Sequence, residues 1–334
     1  KILVENLDHA GNSNLKLSEK TELSLSNSFS VPSQKTMTVS GEKGVLALGG
    51  TVTFNNQSQF VLNSDDTEVS GVFDFTTNNL LDAKQSVTFQ SSISKWGDNS
   101  EIKIANSVTL AYIDNQWETQ GTLIKTGGTM SWDNVAWTLS DDTNYSSDTA
   151  IATKTLTLNN HLLTLASEDS DLTVTDNLTF DNSGEQIKTG LADLTLQGGF
   201  ILEDGLLSST GGIVSFEKGA GQSGGILDVS DSILKLGDNY IKTAGILTAT
   251  DDGTILELTE SLSLTSNTPV SVKTLNLKDK TLTLGSETTD LSVSDPITLD
   301  GVDEKIHSQS ADLTLDGLLS VDNGGLYSSE GTLT

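Results

Sequence analysis

The segment Lys154-Thr-Leu-Thr-Leu158 recurs 119 residues later as Lys273-Thr-Leu-Asn-Leu277. Aligned without a gap, residues 154–197 and 273–316 are identical at 22 of 44 positions. A third start, Lys35-Thr-Met-Thr-Val39, lies another 119 residues upstream. Such self-similarity predicts a tandem array, with an opening segment, two full repeats and a truncated third repeat. Their bounds are 1–34, 35–153, 154–272 and 273–334.

A shorter motif steps through the long repeat. Its first half is a glycine followed by two or three mostly apolar residues. After a short polar or glycine-containing spacer, its second half is a glycine, a β-branched residue, an apolar residue, a polar residue and a large apolar residue. Its copies start 77, 84, 40 and 80 residues apart, which is close to multiples of 40. A fixed period of this size is typical of solenoids and other repeat architectures. The copies start at Gly44, Gly121, Gly205, Gly245 and Gly325.

Local patterning predicts short β-strands throughout. Triplets such as Leu163-Thr-Leu165 and Leu194-Thr-Leu196 alternate apolar and polar residues, which is the strand period. Turn residues separate them, as in Asp181-Asn-Ser-Gly184. No long segment has an apolar period of 3.6 residues, so we expect little helix.

Two all-β architectures fit this pattern. The first is a parallel β-helix, or β-solenoid, in which coils of roughly 20 residues stack along residues 1–334 as one continuous array. The second is a tandem array of immunoglobulin-like β-sandwich domains. The 40-residue step favours the solenoid, because a sandwich has no reason to repeat within itself. A hydrophobic share of 35% and an aromatic share of 5% also suit a narrow core.

Composition excludes several classes of function. The formal net charge is −28 and all 18 basic residues are lysine, which argues against nucleic-acid binding and against anionic membranes. The chain has no cysteine, so disulfides and thiolate zinc sites are excluded. No stretch approaches the length of an apolar membrane span, and we expect no direct membrane insertion.

Candidate metal ligands are few. The histidines His9, His161 and His307 show no metal-ligand spacing, and His161 aligns with Lys280 of the next repeat, so we interpret them as surface residues. Acidic turns could supply oxygen ligands for Ca²⁺, but none matches an EF-hand loop. We therefore expect no cofactor, with Ca²⁺ as the alternative. The turns contain Asp65–Asp66, Asp141–Asp142, Glu168–Asp171, Asp251–Asp252 and Asp303–Glu304.

All four tryptophans fall in one window of the chain. Trp132 ends a motif copy where other copies have Phe or Leu, which predicts a core position. By the same alignment Trp137 lies opposite Ser263, an outward position, and Trp96 and Trp117 have no aromatic counterpart. Outward rings can stack on sugars or on another protein. We therefore take Trp96, Trp117, Trp137 and Tyr112 as a candidate ligand or partner surface; cover for a local bulge is the alternative.

The Gly-Gly-Thr-apolar-x-Phe motif and the Leu-x-Leu strands resemble those of secreted bacterial β-helical proteins, such as autotransporter passengers and filamentous-haemagglutinin-like adhesins. The resemblance implies a structural or adhesive segment of an extracellular bacterial surface protein or fibre, and not an enzyme. We also expect that the chain continues into further repeats or stacks end to end on copies of itself, since neither terminus resembles a polar cap.

The alternative function is a carbohydrate-binding or polysaccharide-cleaving β-helix. Polysaccharide lyases use parallel β-helices, and surface glycans would then be the partners. Such lyases combine acidic residues with Arg or Lys in a groove, and the lack of any Arg weakens this alternative. The 46 acidic residues allow many carboxylate pairs, so a pair alone carries no information.

Overall fold

The structure is a computed structural model of the chain, and it describes residues 2–4, 11–17, 21–250 and 252–334. These residues form β-strands joined by turns, and no helix occurs among them. His9 and Asp251 lie outside the described residues. The chain divides into two compact units, residues 1–171 (unit 1) and 172–334 (unit 2).

Unit 1 consists of strands of three to twelve residues, several of which bend in the middle around a corner. The strands are β1 (Ile2–Val4), β2 (Ser13–Leu17), β3 (Glu22–Leu25), β4 (Phe29–Val31), β5 (Thr36–Glu42), β6 (Val45–Phe54), β7 (Gln59–Asp65), β8 (Thr67–Phe75), β9 (Leu80–Ala83), β10 (Val87–Gln90), β11 (Ile93–Trp96), β12 (Ser100–Ile104), β13 (Thr109–Ile113), β14 (Gln116–Thr126), β15 (Thr129–Asp133), β16 (Ala136–Ser147), β17 (Ile151–Thr153), β18 (Thr155–Thr157) and β19 (Leu162–Leu165).

Unit 2 is built from shorter strands of three to five residues. The strands are β20 (Leu172–Val174), β21 (Leu178–Phe180), β22 (Gln186–Lys188), β23 (Leu194–Leu196), β24 (Phe200–Leu202), β25 (Leu206–Ser208), β26 (Ile213–Phe216), β27 (Ala220–Gln222), β28 (Ile226–Asp228), β29 (Ile233–Leu236), β30 (Tyr240–Lys242), β31 (Ile246–Thr248), β32 (Ile255–Leu258), β33 (Leu262–Ser266), β34 (Val270–Val272), β35 (Thr274–Asn276), β36 (Thr281–Leu284), β37 (Leu291–Val293), β38 (Ile297–Leu299), β39 (Lys305–Gln309), β40 (Leu313–Leu315), β41 (Leu319–Val321) and β42 (Gly325–Ser328).

The strands pair in parallel with the strands one coil further along the chain. In unit 1, Phe75 of β8 pairs with Trp96 of β11, Trp96 with Thr119 of β14, and Thr119 with Leu139 of β16. In unit 2, three strands make one coil, and β20, β23, β26, β29 and β32 stack as one face. Equivalent positions return after 20 to 23 residues in these ladders.

This geometry confirms the predicted parallel β-solenoid with coils of roughly 20 residues. The alternative of immunoglobulin-like domains is wrong, because those sandwiches are built from antiparallel strands and the strand pairs resolved here are parallel. The 40-residue motif step corresponds to two coils: Gly205 and Gly245 are separated by Gly225, which occupies the same corner one coil along. The prediction that residues 1–334 form one continuous array stays a prediction.

The core consists of inward columns of side chains, one residue per coil. In unit 2, the residues of one such column are all buried, and each rests on the next. Burying an apolar side chain of this size stabilises the fold by about 1.5–3 kcal/mol, so each coil depends on its neighbours for cover. The column contains Val174, Leu196, Phe216, Leu236 and Leu258.

Glycine is required at the corner before β25, β28 and β31. Gly205, Gly225 and Gly245 have φ values of 79°, 56° and 80°, in the left-handed region. A Cβ on Gly205 would also lie 2.2 Å from the carbonyl oxygen of Glu185 in the coil before it. The left-handed backbone and the close stacking of coils at this corner therefore explain the glycine that begins the motif copies at Gly205 and Gly245.

Candidate functional site

The aromatic residues expected on the surface lie in the core of unit 1. Trp96 and Trp117 are 1% exposed, and Trp137 and Tyr112 are fully buried. The prediction that these four rings form an outward ligand or partner surface is therefore wrong. Trp132, expected in the core, is only partly buried.

Strand parity and small neighbours explain this correction. Trp137 lies two residues before buried Leu139 on β16, and Tyr112 lies two residues after buried Leu110 on β13, so both side chains point inward. The alignment with Ser263 placed Trp137 one residue out of phase, which moves a side chain to the other face. Trp117 fits because its partner one coil before is Ser94, a small buried residue.

The aromatic rings form one connected stack inside unit 1. Adjacent ring centroids are 4.3 Å apart for Phe75 and Trp96, 5.4 Å for Trp96 and Trp117, and 4.5 Å for Trp117 and Trp132. The stack reaches from Phe54 to Tyr145. Aromatic pairs at these distances add about 0.5–1.5 kcal/mol each beyond the area they bury. The tryptophan window is therefore a reinforced stretch of core.

A polar groove of about 410 Å³ lies on the outer face of unit 1, above this core. Asp74 of β8, Lys95 of β11 and Glu118 of β14 stand side by side on the outer face, because each pairs with the next across the ladder. Lys95 Nζ lies 3.0 Å from a carboxylate oxygen of Glu118. Burial and the negative charge of Glu118 raise the pKa of Asp74, and the ammonium of Lys95 opposes the shift.

This groove combines donors and acceptors suited to a polyhydroxyl ligand. Its floor and rim also carry Thr76, Gln120 and Ser140. A carboxyl group with a shifted pKa in a groove is a common feature of functional sites. Asp74, Lys95 and Glu118 are 21 and 23 positions apart, so the sequence alone, without the length of each coil, does not reveal this column.

Unit 2 presents exposed apolar columns on two outer faces. Ile201 and Ile241 stand on either side of Gly221, and between them lies a groove of about 350 Å³. Around the corner, Ile226 and Ile246 are exposed and pair across the ladder. Contiguous exposed apolar side chains are typical of contact surfaces.

The glycine-rich stretch Gly219–Gly225 has the spacing of the nucleotide-binding motif GxGxxG and of the nucleophile motif GxSxG. Both motifs require the chain to pass from a strand into a helix. Here Ala220–Gln222 form β27, which pairs with β24 and β30, and a corner and strand β28 follow. The match therefore reflects glycine-rich corners.

The acidic turns differ in what their carboxylates contact. The carboxylate of Glu304 accepts hydrogen bonds from the backbone N–H groups of Asp300, Gly301 and Asp279. Burial alone would raise the pKa of Glu304, but these hydrogen bonds outweigh it and lower the pKa. The carboxylate of Glu304 therefore closes its own turn. Asp65, Asp66, Glu168, Asp169 and Asp252 are exposed.

One acidic turn gathers a third metal-ligating side chain. His161 Nδ1 lies 3.7 Å from Asp142 Oδ1 and 4.0 Å from Asp141 Oδ1. Across the described part of the chain, this is the one group of three His, Cys, Asp or Glu side chains whose ligand atoms lie within 4.8 Å of one another. His307, by contrast, stacks on the ring of Tyr327.

Each unit also contains a buried lysine that contacts a turn of the next coil. Lys125 Nζ donates to Asp148 Oδ1 at 2.5 Å and to Thr149 Oγ1 at 2.9 Å. Lys242 Nζ donates in the same way to Asn267 Oδ1 and to the hydroxyl of Thr268. Burial lowers the pKa of Lys242. The ammonium groups of these two lysines donate hydrogen bonds to polar turn residues of the next coil, so we assign them a structural role.

No protein-family model, no curated protein and no solved structure matches this chain. Among the described residues there is no helix that is long and apolar enough to cross a membrane.

The contact between Lys125 and Asp148 predicts a specific pH dependence of stability. Partial burial of Asp148 would raise its pKa, but hydrogen bonds from Lys125 and from the Gly127 N–H outweigh burial and hold the pKa below its usual range. A carboxylate with a lowered pKa stabilises the fold above the pKa of the unfolded chain, about 3.9, and this stabilisation is lost as the pH falls through the folded-state pKa.

We expect Asp148→Asn to fold, because Asn267 occupies the same place in unit 2. Its free energy of unfolding at pH 7 should fall by about 1 kcal/mol. The value is small because the Asp148 side chain is 45% exposed. The difference from the unchanged protein should shrink towards pH 3 in urea unfolding. Asp169→Asn is the control for removing one negative charge. A difference that is constant from pH 7 to pH 3 would contradict the assignment.

Proposed function

We propose that this chain is a structural and adhesive segment of an extracellular bacterial surface protein or fibre. The observation that carries the proposal is the in-register parallel ladder within each unit, where every coil covers the core of the coil before it. Stability in such arrays grows by addition of equivalent coils. This is the property that a spacer or stalk needs.

The side chains support the same role. The ring stack of unit 1 packs neighbouring coils together, since Phe75, Trp96 and Trp117 contact one another from successive coils. A net charge of −28 keeps such a surface soluble and repels like chains. The exposed columns with Ile201, Ile241, Ile226 and Ile246 in unit 2 supply an apolar surface for adhesion.

The proposal includes end-to-end contact between copies. In the last coil of unit 2, an apolar cavity of about 410 Å³ lies among Leu315, Leu319, Leu326 and Leu333. Leu333 is 46% exposed there. A coil of a second copy, or a further coil of a longer parent chain, would cover these side chains as coils cover one another within unit 2.

Immunogold labelling of intact cells of the source organism tests the location, and electron microscopy of the purified chain tests the assembly. We expect label on the outer surface, and filaments that disappear in Leu333→Asp but persist in Leu191→Asp, an equally polar change at an exposed residue far from the last coil. Label confined to the cell interior would contradict the surface role, and isolated compact particles from the unchanged chain would contradict end-to-end assembly.

A second candidate function is binding or cleavage of a polysaccharide at the outer groove of unit 1. The observation that favours it is the column of Asp74, Lys95 and Glu118, in which burial and Glu118 raise the pKa of Asp74. Sugar hydroxyls are bound by such mixtures of donors and acceptors. This candidate moves the site from the buried tryptophans to the outer face.

Binding to a glycan array separates this candidate from the first one. If the groove binds glycans, we expect the double variant Lys95→Met and Glu118→Gln to lose binding at least tenfold. The double variant Lys235→Met and Glu257→Gln removes an ion pair of the same type from the outer face of unit 2 and should bind as before. Equal loss of binding in both double variants, or no glycan bound by the unchanged chain, would contradict a glycan site in the groove. Cleavage is tested separately, by screening acidic polysaccharides in the presence of Ca²⁺.

A further inference from the structure

The turn in the middle of β16 and the turn before β19 meet on the outer surface of unit 1. Asp141 and Asp142 lie at the bend of β16, one coil before His161 and Leu162. The Leu162 N–H donates to Asp142 Oδ1 at 2.9 Å, and the Asp142 N–H donates to Asp141 Oδ1 at 2.8 Å. Both carboxylates are therefore oriented by backbone N–H groups, and both are largely exposed beside the imidazole.

The same pair of turns recurs 119 residues later, in unit 2, with different side chains. Glu260, Ser261 and Lys280 replace Asp141, Asp142 and His161. The Thr281 N–H donates to Ser261 Oγ, as the Leu162 N–H donates to Asp142 Oδ1. Lys280 Nζ lies 3.4 Å from Glu260 Oε2 and forms an ordinary ion pair.

The turn that carries His161 has the same backbone as the turn that carries Lys280. Asn159 and Asn160 adopt left-handed φ values of 51° and 67°, and Lys278 and Asp279 adopt values of 54° and 59°. The His161 N–H donates to the carbonyl oxygen of Leu158, and the Lys280 N–H donates to that of Leu277, both at 3.0 Å. Unit 2 thus forms the equivalent turns with one hydroxyl acceptor and one ion pair.

In unit 1, the imidazole of His161 stands where unit 2 has the ammonium of Lys280, and the carboxylate of Asp142 stands where unit 2 has the hydroxyl of Ser261. These two changes add metal ligands that folding of the turn does not require. Because one ligand is a nitrogen, the set differs from the all-oxygen sites that Ca²⁺ and Mg²⁺ prefer, and it suits borderline ions such as Zn²⁺, Co²⁺ and Ni²⁺.

We propose that Asp141, Asp142 and His161 bind a divalent transition-metal ion of the Zn²⁺ class. His161 would coordinate through Nδ1, and each aspartate through one carboxylate oxygen. Ligand bonds of about 2.0–2.2 Å place neighbouring ligand atoms about 3–3.5 Å apart, so the present separations of 3.7 Å and 4.0 Å need only small side-chain rotations. Solvent completes the coordination.

The ion would act as a clamp between successive coils. Its aspartate ligands lie 19 and 20 positions before His161, and the two turns belong to strands that are neighbours in the ladder. Binding to the folded turns and not to the unfolded chain raises the unfolding temperature with metal concentration. In unit 2 the ion pair of Lys280 and Glu260 bridges the same two turns without metal.

Titration of the untagged chain with Co²⁺ and Zn²⁺, in excess Mg²⁺ to saturate the acidic surface, tests the proposal. We expect one bound ion per chain, visible in the Co²⁺ absorption spectrum, and a rise of the unfolding temperature. His161→Lys, which recreates the cation of unit 2, should fold normally and lose affinity at least about 10–100-fold. His307→Lys is the matched control and should bind as the unchanged chain does.

A transplanted site gives a gain-of-function test. The triple variant Glu260→Asp, Ser261→Asp and Lys280→His copies the ligand set into unit 2, and we expect it to bind two ions per chain. Binding that persists in His161→Lys would overturn the proposal, because it would show adsorption to the acidic surface. Absence of Co²⁺ or Zn²⁺ binding by the unchanged chain would overturn it as well.

Discussion

Each inward side chain in this protein must rest on the side chain that follows it about 20 residues later. The constraint arises from the parallel ladder, which places equivalent residues of successive coils about 4.8 Å apart. One column satisfies this constraint with apolar side chains stacked directly on one another, as in Val174, Leu196 and Phe216. Because the strands are short, each coil contributes only a few inward residues, and the core exists only where coils are stacked.

The same constraint decides where unusual residues can lie. A large ring such as Trp117 is accommodated because the preceding coil provides Ser94 in the same column. A charged residue such as Lys125 is accommodated inside because the turn of the next coil supplies Asp148 and Thr149 as acceptors. On the outside, the ladder turns residues that are far apart in sequence into neighbours, which is how Asp74, Lys95 and Glu118 come to line one groove and how His161 meets Asp142.

The sequence predicts the features that follow from the period of its repeats and from the alternation of apolar and polar residues. Alternation in triplets such as Leu194-Thr-Leu196 indicates strands, and the repeat lengths indicate a solenoid, and both predictions are confirmed. The side-chain sites could not be predicted as well, because they depend on register between coils. A shift of one residue placed Trp137 outside when it is fully buried. The pairing of His161 with Asp141 requires a coil length of 20 at that position, whereas two earlier coils of unit 1 have lengths of 21 and 23.

Cysteine cross-linking tests the in-register parallel ladder most directly, because the chain has no cysteine of its own. Thr195 and Ser215 are outward partners in adjacent coils, and Lys235 follows one coil further. We expect Thr195→Cys with Ser215→Cys to form a disulfide under mild oxidation, since neighbouring strands lie within the Cα range of about 4.4–6.8 Å that disulfides span. Thr195→Cys with Lys235→Cys, about 9.6 Å apart, should stay reduced. Failure of the first pair, or equal cross-linking of both pairs, would contradict the account.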